Sequence, residues 1–68
     1  MSNLEKAYLE EIDFVIDTEL EDDFMAEEDK EVLKSITKKR KKEIVEQLIE
    51  DNEINETVYN AVKYYLFH

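Results

Sequence analysis

The sequence contains neither glycine nor proline, although average usage predicts about five glycines and about three prolines in a chain of this length. Tight β-hairpin turns rely on positive φ angles, which glycine adopts most readily, so the chain is poorly suited to hairpins. Without proline, no residue breaks a helix from within. Glutamate, lysine, leucine and isoleucine are abundant, and the composition as a whole favours helix. We therefore predict an all-α fold.

The chain has 68 residues, which predicts one small domain over residues 1–68. A chain of this length buries only about 60% of its unfolded surface, so its core is small. It has no cysteine, which excludes disulfides and thiolate metal sites and fits a reducing compartment. We expect self-association, a binding partner or efficient helix packing to supply the missing stability.

The N-terminal stretch "MSNLEKAYLEE" has no basic segment followed by an apolar run, and apolar runs elsewhere are only a few residues long. Signal peptides and membrane-spanning helices both need longer runs. We therefore expect a cytoplasmic protein, in the producing or the infected cell, that does not contact a membrane.

Apolar residues at helical spacing predict a compact bundle of three to four short helices. Ser2 can cap the first helix while Glu5 reaches back to it. A strand over residues 12–17, "IDFVID", competes with this helix because its apolar residues alternate, but the longer helical pattern around it favours helix. Asp22 or Asp23 is predicted to cap the second helix.

The later junctions depend on caps. The apolar faces before and after Thr37 point about 150° apart on a continuous helix, which could not bury both against one neighbour. We therefore favour a break around Thr37 over one long helix through residues 29–51. Asn52 is predicted to end a helix in the left-handed conformation, and Asn55 to cap the last helix. We expect nine apolar side chains to be buried: Ile12, Ile16, Val32, Ile36, Ile44, Leu48, Val58, Val62 and Leu66.

No residue pattern indicates catalysis. The single histidine, His68, is the terminal residue, and Ser2 and Ser35 have no plausible catalytic partner. There is no glycine-rich loop to bind a phosphate. Carboxylates are numerous, but a calcium loop of the helix–loop–helix type needs a glycine at its turn. We expect a protein that is not an enzyme and that carries no cofactor or metal ion.

Negative charge is concentrated in the first half of the chain. Residues 1–31 hold thirteen acids and two lysines, whereas residues 32–42 hold six basic residues and no acid, within a net charge of −10. A helix through residues 3–21 would line its solvent side with acids, and the segment "ELEDDFMAEEDKE" at 19–31 would extend that surface. We predict ten partner-binding residues: Glu10, Asp13, Phe14, Asp17, Glu21, Asp22, Asp23, Phe24, Glu27 and Glu28. An ordinary solvated acidic surface is the open alternative.

These features favour a binding protein that occupies the basic nucleic-acid-binding cleft of a partner protein, with Phe14 or Phe24 as an apolar anchor. Small acidic inhibitors of restriction systems, CRISPR effectors and polymerases, often phage-encoded, have similar charge and size. The alternative is a helical homodimer or adaptor with a structural or regulatory role. Its self-association surface would include Tyr64 and Phe67, near the C-terminus.

The run "KKRKK", Lys38 to Lys42, is a candidate phosphate-binding patch or nuclear-localisation-like signal. Five consecutive residues point in all directions around a helix, and a net charge of −10 repels a polyanion. We therefore predict that the run offsets the acidic half, within the fold or across a dimer, and that the protein does not bind nucleic acid directly.

Overall fold

A computed structural model of the protein describes residues 2–68, and within this range the chain forms helices and no strand. The four helices are α1 (Asn3–Leu20), α2 (Glu27–Lys34), α3 (Lys38–Asp51) and α4 (Asn55–Phe67). The first helix contacts the other three, α4 packs against both α2 and α3, and all four surround one core. The predicted all-α bundle is confirmed, and residues 12–17 lie inside α1 rather than in a strand.

The core consists of apolar side chains from every helix. Eleven are buried: Tyr8, Ile12, Val15, Ile16, Leu33, Ile44, Val45, Leu48, Val58, Val62 and Leu66. Seven of the nine predicted core residues are among them. Ten of the eleven are aliphatic, and full burial of one such side chain contributes about 1.5–3 kcal/mol to folding.

The prediction for α2 is wrong at Val32 and only partly right at Ile36. The side chain of Val32 is 44% exposed, whereas Leu33, its neighbour, is 1% exposed and takes its place in the core. Ile36 lies after the end of α2 and is half-buried against the core. Adjacent helical residues point about 100° apart. In a two-turn helix, contacts with the neighbouring helices therefore decide which of two adjacent apolar residues faces inward.

Three predicted helix ends are confirmed. The Ser2 side chain accepts a hydrogen bond from the backbone N–H of Glu5, and Thr37 caps α3 by accepting one from Arg40, both at 3.1 Å. Thr37 thus marks the break between α2 and α3. Asn52 ends α3 with a left-handed backbone at φ 54°, and Glu53 N–H donates back to a carbonyl in the last turn of the helix. This is the Schellman arrangement, which satisfies carbonyls that would otherwise lack a partner.

Two predicted caps are wrong. Neither Asp22 nor Asp23 caps α2, which begins after Ala26 without a side-chain cap. The Asp22 carboxylate instead accepts the backbone N–H of Phe24 at 2.8 Å, an Asx-type turn that is a common alternative use of the same residue type. At α4, the N-cap position falls on Ile54, so Asn55 is already the first helical residue.

Candidate protein-binding surface

Four acids on the solvent side of α1 form what we call the acidic strip: Glu10, Asp13, Asp17 and Glu21. All four are exposed. At about 100° per residue they fall within one arc of the helix, and Glu19 and Tyr8 lie on the opposite, buried side. The strip thus runs along the face of α1 turned away from the core.

Residues 22–26 connect α1 to α2 and form what we call the acidic turn. Asp22, Asp23 and Phe24 are exposed, and the turn is held in part by the Asp22 hydrogen bond. The next predicted partner-binding residues, Glu27 and Glu28, are exposed in the first turn of α2, where negative charge complements the helix dipole. The structure therefore places all ten predicted partner-binding residues on the surface, in one continuous stretch of chain.

Asp13 has an additional role that the sequence analysis missed. Its Oδ1 atom lies 2.9 Å from the Nζ atom of Lys41, so the pair joins α1 to α3. The Asp13 side chain is 60% exposed, and exposed pairs of this kind contribute at most about 1 kcal/mol. Lys41 is the part of the basic run that offsets an acid of the first half within the fold.

The other acids of the strip are free of such pairs. Within residues 2–68, Glu10, Asp17 and Glu21 take part in none of the four ion pairs, which join Glu31 to Lys34, Arg40 to Glu43, Asp13 to Lys41 and Glu19 to Lys63. Their charge is therefore available to an external cation.

Two aromatic side chains accompany these acids. Phe14, on the edge of the strip, is 59% exposed, and Phe24, in the acidic turn, is 97% exposed. The Phe14 ring packs edge-to-face on Tyr59 of α4, with ring centroids 6.3 Å apart. Edge-to-face pairs contribute about 0.5–1.5 kcal/mol. One side of the Phe14 ring is thus packed against α4, whereas Phe24 extends into solvent.

The support beneath Phe14 is a polar network that the sequence analysis did not predict. Glu19 is only 6% exposed, and its Oε1 atom accepts a hydrogen bond of 2.7 Å from the Tyr59 hydroxyl. The Nζ atom of Lys63 lies 3.2 Å from the same oxygen. A buried carboxylate is costly unless it is paired and hydrogen-bonded, and here it is both. The sequence held one signal for the burial of Glu19, its helical spacing from Val15 and Ile16. The acidic run around Glu19 obscured that signal.

This network changes the acidity of Tyr59. The hydrogen bond to Glu19, partial burial and the nearby negative charges of Glu19, Asp22 and Glu11 raise the pKa of Tyr59 to about 12. Each of these factors disfavours a phenolate at this position. The hydroxyl therefore remains a donor to Glu19 well above neutral pH, and the ring that supports Phe14 stays in place.

The predicted self-association residues lie at the end of α4. The ring of Tyr64, which is 58% exposed, stacks on His68 with centroids 4.5 Å apart and meets Tyr65 edge-to-face. Phe67 is half-buried and packs against the core. Tyr64 therefore offers exposed aromatic surface, whereas much of Phe67 is already used within the fold.

The basic run forms the first turn and a half of α3. Arg40 donates from Nη2 to the backbone carbonyl of Tyr65 at 2.7 Å, which satisfies a carbonyl in the last turn of α4. Lys38, Lys39 and Lys42 are exposed. The first turn of α3 contains no acid, and cations at a helix N-terminus oppose the helix dipole.

Comparison of the chain with protein-family models, with curated proteins and with solved structures finds no match in any of the three. Within residues 2–68, no group of three or more acidic or histidine side chains is arranged to hold a metal ion. No helix in this range has both the length and the apolar character needed to cross a bilayer.

Proposed function

We propose that the protein is a small acidic, non-catalytic binding protein that occupies the basic nucleic-acid-binding cleft of a partner protein and inhibits it. Restriction enzymes, CRISPR effectors and polymerases are the classes of target that this chemistry fits. One observation carries the proposal: the exposed, unpaired acids of α1 run into the acidic turn beside two exposed aromatic side chains, Phe14 and Phe24.

The spacing of the strip suits a cleft that holds a nucleic-acid backbone. Asp17 and Glu21 lie about one helical turn, roughly 6 Å, apart along α1. Glu10 lies about two turns, roughly 10 Å, from Asp17, because the acid between them, Asp13, is paired with Lys41. Phosphates along one strand of DNA recur at a spacing of the same order, a few ångströms. Arginines and lysines placed to hold that backbone can therefore meet Glu10, Asp17 and Glu21. Opposite charges at this density also steer association and make its rate sensitive to salt.

Phe14 and Phe24 would supply the part of the binding energy that exposed charges do not. A few buried aromatic anchors dominate the energy of most protein interfaces. The Phe14 ring already packs on Tyr59, which Glu19 holds by a hydrogen bond. The Phe14 side chain would therefore lose little freedom on binding. Phe24 would lose more freedom and also bury more area, since it is 97% exposed.

A second candidate function is a helical homodimer or adaptor with a structural or regulatory role. The exposed ring of Tyr64 favours it, because this aromatic surface belongs to α4, not to the acidic strip of α1, and would be covered by a second chain. Partner binding through α1 and self-association through α4 use different faces and can be tested separately.

The test of the proposed function compares two triple variants with the same change in charge. The strip variant carries Glu10→Gln, Asp17→Asn and Glu21→Gln. It spares Asp13, which pairs with Lys41, and Asp22, which shapes the turn. The control variant removes three exposed acids on α3 and α4: Glu46→Gln, Glu50→Gln and Glu56→Gln. Each immobilised protein is used to capture binding proteins from a cell extract at low and at high salt.

We expect wild type and the control variant to capture a nucleic-acid-handling protein that is lost at high salt. The strip variant should bind it at least about tenfold more weakly, because it lacks three charge contacts. Each contact is expected to contribute a free energy at the lower end of the range for charged hydrogen bonds. Wild type should also displace the partner's own oligonucleotide. Equal binding by both variants, or a partner that retains its oligonucleotide, would contradict the proposed function.

A further inference from the structure

A second surface of the protein carries chemistry that the acidic strip does not use. A groove of about 520 Å³ lies between α1 and α3. Leu9 and Val45 contribute apolar side chains to it, and Lys38, Lys41 and Lys42 line its α3 side. The groove therefore combines apolar surface with a row of cations.

Two acids of α1, Glu5 and Asp13, also line the groove, so its three lysines and two acids together carry a net charge of +1. Asp13 holds Lys41 at 2.9 Å. Lys38 and Lys42, one helical turn apart and both exposed, take part in no ion pair within residues 2–68. Lys38, in the first turn, opposes the dipole of α3, so an anion placed between the two lysines would relieve this unfavourable interaction. The groove therefore fits a ligand that has carboxylates next to a large apolar side chain.

We propose that this groove binds the acidic turn of a second copy of the protein. The turn has the required chemistry, since Asp22 and Asp23 precede a phenylalanine that is 97% exposed. Phe24 would lie mainly on Leu9, since Val45 is only 4% exposed, while the two carboxylates meet Lys38 and Lys42. The complementarity is thus both of charge and of apolar surface.

The turn cannot reach the groove of its own chain. It follows the C-terminal end of α1, whereas Leu9 lies eleven residues before that end, about 16 Å along the helix axis. Each copy carries one turn and one groove, so two copies can exchange both contacts across a two-fold axis. Two chains of net charge −10 repel each other, but at physiological ionic strength this repulsion is screened beyond about 8 Å. Contacts within the groove are screened less.

Self-docking through the groove goes beyond the proposed function and is independent of Tyr64. It would cover Phe24 and the acids around it, so the dimer and the complex with a basic partner would exclude each other at the turn.

A charge exchange between groove and turn tests this inference. The groove variant carries Lys38→Glu and Lys42→Glu. The turn variant carries Asp23→Lys with Asp22→Asn, which keeps the side-chain oxygen that accepts the Phe24 N–H. Alone, each variant would bring like charges together, and we expect its self-association constant to fall at least about tenfold, since several exposed ion pairs are lost and replaced by repulsion. Mixed in equal amounts, the two variants should associate again, because each groove then faces a turn of opposite charge.

Sedimentation velocity over a concentration series measures these constants for wild type, each variant and the mixture. A control with the same charge change outside the groove, Lys34→Glu with Lys39→Glu, should associate as wild type does. Circular dichroism verifies folding, and acids in the first turn of α3 should favour that helix. The inference is overturned if wild type stays monomeric, if the groove variant associates like the control, or if mixing restores nothing. Salt-sensitive binding of an oligonucleotide to the groove of a monomeric wild type would assign the site to a polyanion instead.

Discussion

Among residues 2–68, Glu19 is the only charged side chain that is buried, and its surroundings explain why it is tolerated. A carboxylate removed from water is stable only when hydrogen bonds and an opposite charge replace its hydration. Tyr59 and Lys63 provide both, one from each of two successive turns of α4. Glu19 thereby connects the α1–α4 packing to the aromatic pair that includes Phe14. An acid counted as part of a surface run is in fact structural.

Because of this arrangement, the free energy of unfolding should change with pH in the alkaline range. The pKa of Tyr59 is about 12 in the folded protein against an ordinary value of 10.0. A raised pKa means that the stabilising contribution is complete below pH 10 and is lost as the pH rises through 12. Urea unfolding between pH 9 and 12 should therefore show a fall in stability that is smaller in Tyr59→Phe, a variant that is also less stable at neutral pH.

The same ionisation can be followed by ultraviolet absorbance. The hydrogen bond from Tyr65 to the Asp51 carboxylate, with partial burial, also raises the pKa of Tyr65 to about 12. Two late-titrating tyrosines are expected. Tyr59→Phe should remove about half of the late absorbance change, and Tyr59→Phe with Tyr65→Phe nearly all of it. A Tyr59→Phe variant that keeps the full late change would show that Glu19 does not hold the phenol as described.

The comparison of sequence and structure at single residues shows what periodicity can resolve. Hydrophobic periodicity identified Ile12, Ile44 and Val62, which are fully buried on long helices, because several turns of the pattern agree there. It failed at Val32, where α2 offers only two turns. Glu19 keeps helical spacing with the buried Val15 and Ile16, but its partner Tyr59 lies forty residues away, and no local pattern identifies that partner.

At the level of elements, a chain without glycine or proline must turn by other means. Thr37, the last residue of the connection between α2 and α3, is the N-cap of α3. Asn52 turns the chain after α3 in the left-handed conformation. Asparagine tolerates that conformation better than other residues with a side chain, which is why the position was predictable. Asp22 was ambiguous, because an aspartate before a helix can cap it or close its own turn.

Asn52 gives a prediction at this level. Asn52→Ala should lower the free energy of unfolding by about 1 kcal/mol, because a left-handed backbone costs alanine roughly 1–2 kcal/mol. Asn52→Gly should stay within about 0.5 kcal/mol of wild type, since glycine adopts positive φ freely. Asn60→Ala, the same substitution at an exposed site inside α4, should stabilise by a few tenths of a kcal/mol. Urea unfolding measures all three. A loss in Asn52→Gly equal to that in Asn52→Ala would show that side-chain contacts, not φ, matter there.

On the scale of the whole molecule, charge is separated more than it is balanced. The acidic strip and turn occupy one side of α1 and its C-terminal end, and the basic run opens α3. The sequence predicted this segregation and the exposure of all ten candidate residues, because the eight acids and the two phenylalanines among them lie outside the apolar stripes. It did not predict that Asp13 and Lys41 meet or that α1 and α3 form a groove, since both depend on how helices pack.

The excess of acids also makes stability depend on salt, with a sign set by two opposing effects. Repulsion acts within the net charge of −10 and along the acidic strip, where three like-charge pairs at i,i+3 or i,i+4 cost a few tenths of a kcal/mol each. Salt screens this repulsion, but it also weakens the ion pairs. Two of these, Lys34–Glu31 and Arg40–Glu43, are exposed pairs between residues three apart on one helix. Because nineteen acids face nine basic residues, repulsion should dominate.

We therefore expect the free energy of unfolding to rise by about 0.5–1 kcal/mol between 20 and 500 mM NaCl, roughly the sum of the strip repulsions. Chloride is the better choice for this measurement, because sulfate stabilises proteins by exclusion from their surface. The strip variant with Glu10, Asp17 and Glu21 neutralised should start more stable at low salt and gain less. Dilute samples keep self-association from contributing, since dimer formation would itself raise the apparent stability. A stability that falls with added NaCl would mean that Asp13–Lys41 and Glu19–Lys63 outweigh the repulsion, and that the acids of the strip are better balanced than their spacing indicates.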